Sequence, residues 1–239
     1  MLSFIFFLIF LVLLNFFWKA FRAPSFDSPV SLMFGAPRSG KTTFLVKFIK
    51  YARLHFYVYT NIPGLKSGFC NSLSKDDIGS VCFEEGGILV FDEGSLNGFD
   101  NRDFKNNFGF QQLDYFKLIG HYKNRIVFGN QGYDELDKKI RTLTTCLYVV
   151  RRLGPFSMAV KIYKYVGIDK ESKQIIDAYR YPNLFDIIFN LNRSVLFVFR
   201  PRYYRYFDSY DRPLQLRSCD DPVQRPVSGS GFFSRIFRR

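Results

Sequence analysis

Eight consecutive residues, Gly35-Ala36-Pro37-Arg38-Ser39-Gly40-Lys41-Thr42, hold a spacing of glycine, lysine and hydroxyl suited to one chemistry. Glycines let a backbone wrap closely round a phosphate with its N–H groups turned inward, and a helix starting there adds its positive end. In such a loop the lysine reaches the β- and γ-phosphates and the hydroxyl after it ligates Mg²⁺, so Lys41 and Thr42 take those parts, with Thr43 completing the cradle. A second signal lies 51 residues beyond Lys41, where the run Ile88-Leu89-Val90-Phe91 ends in Asp92 and Glu93. Asp92 is the candidate to hold Mg²⁺, directly or through water, and Glu93 the candidate to polarise an attacking water. The plain alternative is two solvated acids in a turn. Gln131, just past another apolar run, could sense a γ-phosphate or be a surface amide. Arg141 could reach a neighbouring subunit's nucleotide in an oligomeric ATPase or be a solvated charge. His121 is read as structural.

These residues need particular elements behind them. Val30 to Phe34 is a short apolar run before the loop, and residues 43–53 lack Gly and Pro at good helical length, so the loop reads as strand–loop–helix. Uninterrupted apolar runs fit parallel strands buried on both faces, with ligands at their carboxyl ends. Further strands are expected over residues 55–60, 125–129 and 146–150, with helices over 108–122 and 134–141. The polar, Gly- and Asn-rich stretch 94–107 reads as a loop. This alternation predicts an α/β fold, a P-loop NTPase with a mainly parallel sheet over residues 30–153. A β-hairpin over 158–166 and 174–180, turning at 167–173, then begins a small extension over 154–210. Within it, 184–199 is apolar but carries Asp186, Asn190, Asn192 and Arg193, too polar for a clear membrane span.

Residues 2–18 are uncharged and apolar apart from Ser3 and Asn15. Seventeen residues cover about 25 Å as a helix, close to the shortest bilayer span. A secretory signal would carry a basic start and a small-residue cleavage site, and a buried core helix would carry a polar face. Neither is present, so the segment reads as a transmembrane anchor. Lys19 and Arg22 follow it and nothing charged precedes it, which places the bulk of the chain in the cytoplasm. A Pro/Ser linker over 23–29 joins anchor to core.

The 239 residues include 34 Lys and Arg against 21 Asp and Glu, a formal charge of +13 that bears on partners rather than fold. Seven basic residues and no acid lie between Lys138 and Lys164, and nine Arg with four Asp lie from Arg200 onward. Anionic lipid, a nucleic-acid backbone and plain solvent each account for such charge. Little fixed structure is expected over the basic tail, 211–239. Four scattered cysteines without a Cys-x-x-Cys pair, and two histidines, exclude a disulfide framework and a structural zinc site.

The block GAPRSGKTT (35–43), ILVFDE (88–93), IGHYKNRIVFGNQ (119–131) and DKKIRTL (137–143) resembles the Zot family, the zonula occludens toxin-like proteins similar to filamentous-phage gene I assembly ATPases. The likeness spans residues 30–152 and rests on the middle block. It implies an ATP- and Mg²⁺-dependent ATPase of the host inner membrane, working as a homo-oligomer on phage coat proteins and single-stranded DNA to assemble and extrude virions. The family's phosphate loop carries onto Gly35 to Thr42, and its magnesium and water-activating acids onto Asp92 and Glu93. One feature departs from the pattern: in well-known relatives the span follows the ATPase domain, whereas here it comes first. No exported C-terminal domain or toxin activity is therefore carried over. Two other readings keep the same core, a DNA translocase or packaging motor and a nucleotide-gated scaffold that barely turns over.

Overall fold

The computed structural model describes residues 2–22, 28–62, 65, 70–81, 83–94, 99–100, 110–168 and 175–207. The tail over 211–239, most of the 23–29 linker, most of the 94–107 loop, residues 169–173 of the expected hairpin turn, Cys82 and Cys219 lie outside the described residues.

β1 (Val30–Phe34) leads into the phosphate loop, and α2 (Lys41–Ala52) leaves it. β1 is flanked on one side by β5 (Arg125–Asn130) and on the other by β6 (Cys146–Leu153), both parallel to it. β5 pairs in turn with β4 (Ile88–Phe91), which pairs with β2 (Val58–Thr60) and β2 with the short β3 (Asn71–Ser72), again all parallel. The order β3-β2-β4-β5-β1-β6 puts the phosphate loop and the carboxylate-bearing strand two places apart, with β5 between them.

Alternate side chains of each strand enter two apolar layers. Met33, Val90 and Val127 pack with Phe44, Leu45 and Phe48 of α2, whereas Leu32, Leu89, Phe91, Ile126 and Phe128 pack on the other face with Phe116 of α3 (Phe110–Leu118). Burial on both faces is the reason the strands read as unbroken apolar runs. The expected α/β fold with a mainly parallel sheet is therefore present.

Some boundaries move. β2 starts at Val58 rather than at 55, because the amides of His55 and Phe56 still bond back to Ala52 and prolong the turn that ends α2. The helix expected over 134–141 is α4 (Lys138–Leu143), begun by Asp137, whose side chain accepts from the Lys139 amide. Of the helix expected over 108–122, residues 108 and 109 lie outside the described residues, and α3 ends at Leu118, after which the chain turns through Gly120 to Lys123.

The hairpin joins the same sheet. β7 (Phe156–Ile168) runs antiparallel to β6 from Leu153↔Phe156 to Cys146↔Tyr163. Its other edge is shared by β8 (Ile175–Arg180), along residues 163–168, and by β9 (Val195–Phe199), along residues 156–160. The boundary drawn after residue 153 thus falls within a continuous sheet. Between β8 and β9 lie α5 (Leu184–Ile188) and a short 3-10 turn, Leu191–Arg193. Val195, Leu196 and Val198 of β9 are buried, so the second half of the 184–199 segment belongs to the core.

α1 (Leu2–Ala20) is long and apolar enough to cross a membrane and runs two residues past the expected end. Its last turns meet β9 and α5: the ring of Phe16 lies 6.1 Å from that of Phe197, Phe21 stacks on Phe197 at 6.0 Å, and Lys19 Nζ donates to the Phe189 carbonyl at 3.3 Å.

Candidate nucleotide-binding site

The phosphate loop closes at the carboxyl end of β1. Gly40 has φ 98°, a left-handed conformation that favours glycine, and a Cβ there would strike Ser157 Oγ and Arg200 Cδ. The Ser157 hydroxyl donates to the Ser39 carbonyl at 2.5 Å, tying the loop to β7. Arg38 is also left-handed, with φ 61°. Lys41 is 5% exposed, and its Nζ donates to the Gly35 and Ala36 carbonyls at 3.0 and 3.3 Å. Burial holds its ammonium below the ordinary lysine value, opposed by the charges of Glu93 and Asp92. Thr43 is buried under the loop.

Asp92 and Glu93 stand just beyond β4, not within it. The Thr42 hydroxyl donates to Asp92 Oδ2 at 2.6 Å. Asn61, beyond the end of β2, accepts from the Asp92 amide at 2.8 Å and donates to the Asp92 carbonyl at 2.9 Å, fixing that peptide from the neighbouring strand. Burial pushes the Asp92 carboxyl above the usual range, against the opposing pull of Thr42 and Lys41. A left-handed turn at Glu93, φ 50°, separates the two side chains. Strand alternation would have sent them to opposite faces; this turn does the separating instead, at a backbone cost of about 1–3 kcal/mol that tends to concentrate at functional sites. The Glu93 carboxyl is raised by burial first and by Asp92 second. Gln131 Nε2 lies 3.4 Å from both Glu93 carboxylate oxygens.

β5 accounts for that meeting. Because it runs between β1 and β4, its end delivers Gln131 between the phosphate loop and the acids. Gly129 on the same strand lets Asp92 come close, since a Cβ there would lie 3.0 Å from Asp92 Oδ1 and 2.8 Å from Leu45 Cδ1. Arg141 stands apart. Its Nη1 bonds Asp134 at 2.6 Å, and its guanidinium lies 5.3 Å from the centre of the Tyr133 ring. His121 is exposed in the turn after α3.

A cavity of about 600 Å³ opens beside the loop, lined by residues 35–39, Gln131 and the end of β6, including Arg151 and Arg152. That is within the size range of small-molecule sites. The fit to a nucleotide rests on three features. The loop and its left-handed glycine form a backbone cradle, Ser39 Oγ is buried with no hydrogen-bond partner among the described residues, and Lys41 donates to the loop's own carbonyls. Thr42 and Asp92 present two adjoining oxygens suited to a hard cation. Among the described residues no three His, Cys, Asp or Glu stand together. A cation here would therefore complete its shell with phosphate and water oxygens.

Sequence reasoning had not singled out Asn61, Ser157, or Arg151 and Arg152 as pocket walls. Asn61 carried a weak signal, a polar residue ending a strand. Ser157 carried none, because its role arises from a hairpin folding back onto the loop.

The strand order, the loop at the end of β1 and the acids at the end of β4 define a P-loop NTPase fold. No family model and no curated protein sequence matches the chain. Among solved structures it is similar to the N-terminal domain of zonular occludens toxin from Neisseria meningitidis, at 18% identity and a TM-score of 0.44 over 69% of this chain and 98% of that one. It is also similar to the genome packaging NTPase B204 from Sulfolobus turreted icosahedral virus 2 in complex with AMPPCP, at 11% identity and a TM-score of 0.43 over 62% and 96%. A third likeness is the flagellar accessory protein FlaH from Methanocaldococcus jannaschii, at 13% identity and a TM-score of 0.42 over 63% and 89%.

Proposed function

We propose that the chain is a membrane-anchored, Mg²⁺-dependent ATPase that powers filamentous-phage virion assembly and extrusion through the host inner membrane. The observation that carries the ATPase part is the 2.6 Å contact of the Thr42 hydroxyl with Asp92, which joins the phosphate loop to the acid pair after β4. The phage part rests on the Zot-like block over residues 119–143 and on the apolar α1.

Each residue then has a task. The backbone N–H groups of the loop from Gly35 to Thr42, Pro37 excepted since it has none, hold the phosphates, and Lys41 exchanges its two loop carbonyls for β- and γ-phosphate oxygens. Thr42 and Asp92 would hold Mg²⁺, which would supply positive charge to the phosphates. Glu93 orients the attacking water and takes its proton, a role that suits a carboxylate whose affinity for protons is raised. Gln131, already beside Glu93, fixes the water or reports the γ-phosphate. Arg141 serves a neighbouring subunit of a homo-oligomer only after leaving Asp134. The core lies on the cytoplasmic side, where coat proteins and single-stranded DNA are the partners.

The test is hydrolysis by the full chain in vesicles, with and without single-stranded DNA, alongside virion release from cells. Lys41→Ala is expected to abolish both hydrolysis and release while membrane insertion persists. Hydrolysis by Lys41→Ala at the wild-type rate overturns the site. Strong stimulation by DNA without any effect on virion release favours a translocase, and nucleotide binding without turnover favours a scaffold.

A further inference from the structure

α5 and its flanks leave large apolar side chains bare. Leu184 is 69% and Phe185 71% exposed, and Tyr181 and Leu191 beside them are also exposed. α5 touches α1, and Lys19 of α1 reaches the Phe189 carbonyl just past the end of α5. On α1 the residues Val12, Asn15, Phe16 and Lys19 are partly covered, while Leu11, Leu13, Leu14, Phe17 and Trp18 are exposed. That spacing is one helical stripe, so protein flanks α1 along its last two turns and a half rather than meeting only its tip. The apolar surface of α1 therefore runs on to α5, and whatever medium surrounds the lower part of α1 also meets Leu184 and Phe185.

A cavity of about 640 Å³ lies between α5 and the strands β7 and β8, with Lys161, Arg180, Tyr163 and Tyr181 in its wall. Lys161 Nζ stands 4.7 Å from the centre of the Tyr163 ring. Among the described residues the acid in the wall is Asp186, whose carboxylate accepts from the Asn183 amide at 2.9 Å at the start of α5. Two basic side chains and three phenols (Tyr163, Tyr165 and Tyr181) beside a bare apolar helix fit a group that is anionic at one end and hydrocarbon at the other.

We propose that α5 and this cavity form a second membrane footing that takes anionic phospholipid. Leu184, Phe185 and Leu191 enter the boundary between headgroups and acyl chains, and a headgroup phosphate lies against the exposed Arg180, with the buried Lys161 behind it in the cavity wall. This rests on the reading of α1 as a membrane anchor. Single-stranded DNA could use the phenols and the cations, but it gives Leu184, Phe185 and Leu191 nothing to bury against. Two attachments rather than one fix how the core faces the bilayer. They also join the bilayer to the nucleotide site, because Lys47 of α2 donates to the carbonyl of Phe197, the residue against which α1 packs.

The chain's single tryptophan makes the test direct. The full chain is reconstituted into vesicles of phosphatidylcholine, or of phosphatidylcholine with phosphatidylglycerol, carrying brominated acyl chains. Trp18 fluorescence reports α1, and a Trp18→Phe/Phe185→Trp protein reports α5. Both are expected to be quenched, the α5 probe mainly by shallow bromines and at least twofold more with phosphatidylglycerol. Adding Leu184→Asp and Arg180→Glu to the α5 probe should abolish most of its quenching, and the same pair in the wild-type background should leave Trp18 quenching unchanged. Quenching of Trp18 without quenching of the α5 probe overturns the footing and leaves the anchor standing. Quenching of neither overturns both. An α5 probe that responds to single-stranded DNA or to protein concentration but not to lipid assigns the face to nucleic acid or to a second copy, and overturns the proposal.

Discussion

Asp92 and Glu93 are neighbours in sequence with different surroundings, and their substitutions should separate. Asp92 contacts Thr42 and Asn61, whereas Glu93 faces Gln131. Glu93→Gln is expected to bind ATP with Mg²⁺ normally and to lose hydrolysis by about 10²-fold or more, the range of a positioned proton acceptor. Asp92→Asn is expected to weaken binding only when Mg²⁺ is present. Titrations with and without Mg²⁺, with single-turnover hydrolysis, distinguish the two; normal hydrolysis by Glu93→Gln would move the water to Gln131. The Asp92 carboxyl is raised by burial, so what it adds to the nucleotide-free fold is full below the unfolded value and is lost as pH rises through the raised one. Above that raised value the buried charge costs stability, and there Asp92→Asn should raise the melting temperature of the nucleotide-free protein. Gly129→Ala should act in the opposite direction. The added methyl presses on Leu45 and Asp92, with an expected cost of about 1–3 kcal/mol in denaturant unfolding and weaker Mg²⁺-dependent binding.

At the scale of elements, α2 is fastened to the extension by a buried lysine amine. Lys47 is 2% exposed, its Nζ donates to the Phe197 carbonyl at 2.8 Å, and burial, with Arg202 adding repulsion, brings its ammonium down to about 7. Above that value the folded chain has released a proton that the unfolded chain keeps until its ordinary lysine range. Stability should therefore rise with pH across the window from about 7 to about 10, by roughly 1 kcal/mol per unit from this group. In Lys47→Met that increment should vanish, and the variant should lose its disadvantage at neutral pH; urea midpoints for both proteins from pH 6.5 to 9.5 measure it. If the two proteins keep parallel slopes, the amine is charged in the fold.

For the whole molecule, the decisive question is what surrounds α1. Its 19 residues would span about 28 Å, near the thickness of a hydrocarbon core, and its middle residues are bare. Placing an arginine at Leu8 costs about 3 kcal/mol at the centre of a span and almost nothing on a helix in water. Leu8→Arg together with Leu11→Arg should therefore shift the full chain from the membrane pellet to the supernatant after alkaline extraction. Retention of the double variant in the pellet would mean that attachment does not depend on α1.

The phosphate loop, the acids after β4 and the apolar α1 were legible in the residues themselves, because each depends on a contiguous pattern. A glycine-rich loop needs its glycines next to one another, a strand covered on both faces needs an unbroken apolar run, and a membrane-length helix needs length without charge. The alternation of strands and helices also gave the parallel sheet, since parallel neighbours need long connections. What required the fold was every relation between distant segments. That β5 runs between β1 and β4, and so carries Gln131 to Glu93, is a matter of strand order, which local patterns do not encode. The separation of Asp92 from Glu93 by a left-handed turn, and the hold of Asn61 on the Asp92 peptide, arise from backbone geometry that residue types do not disclose. The hairpin looked like an appendage because its alternation specifies a half-covered strand but not its neighbour. Only the tertiary structure decided that β7 continues the sheet and sets Ser157 against the phosphate loop, because that contact joins residues 118 positions apart and arises only once the chain has closed.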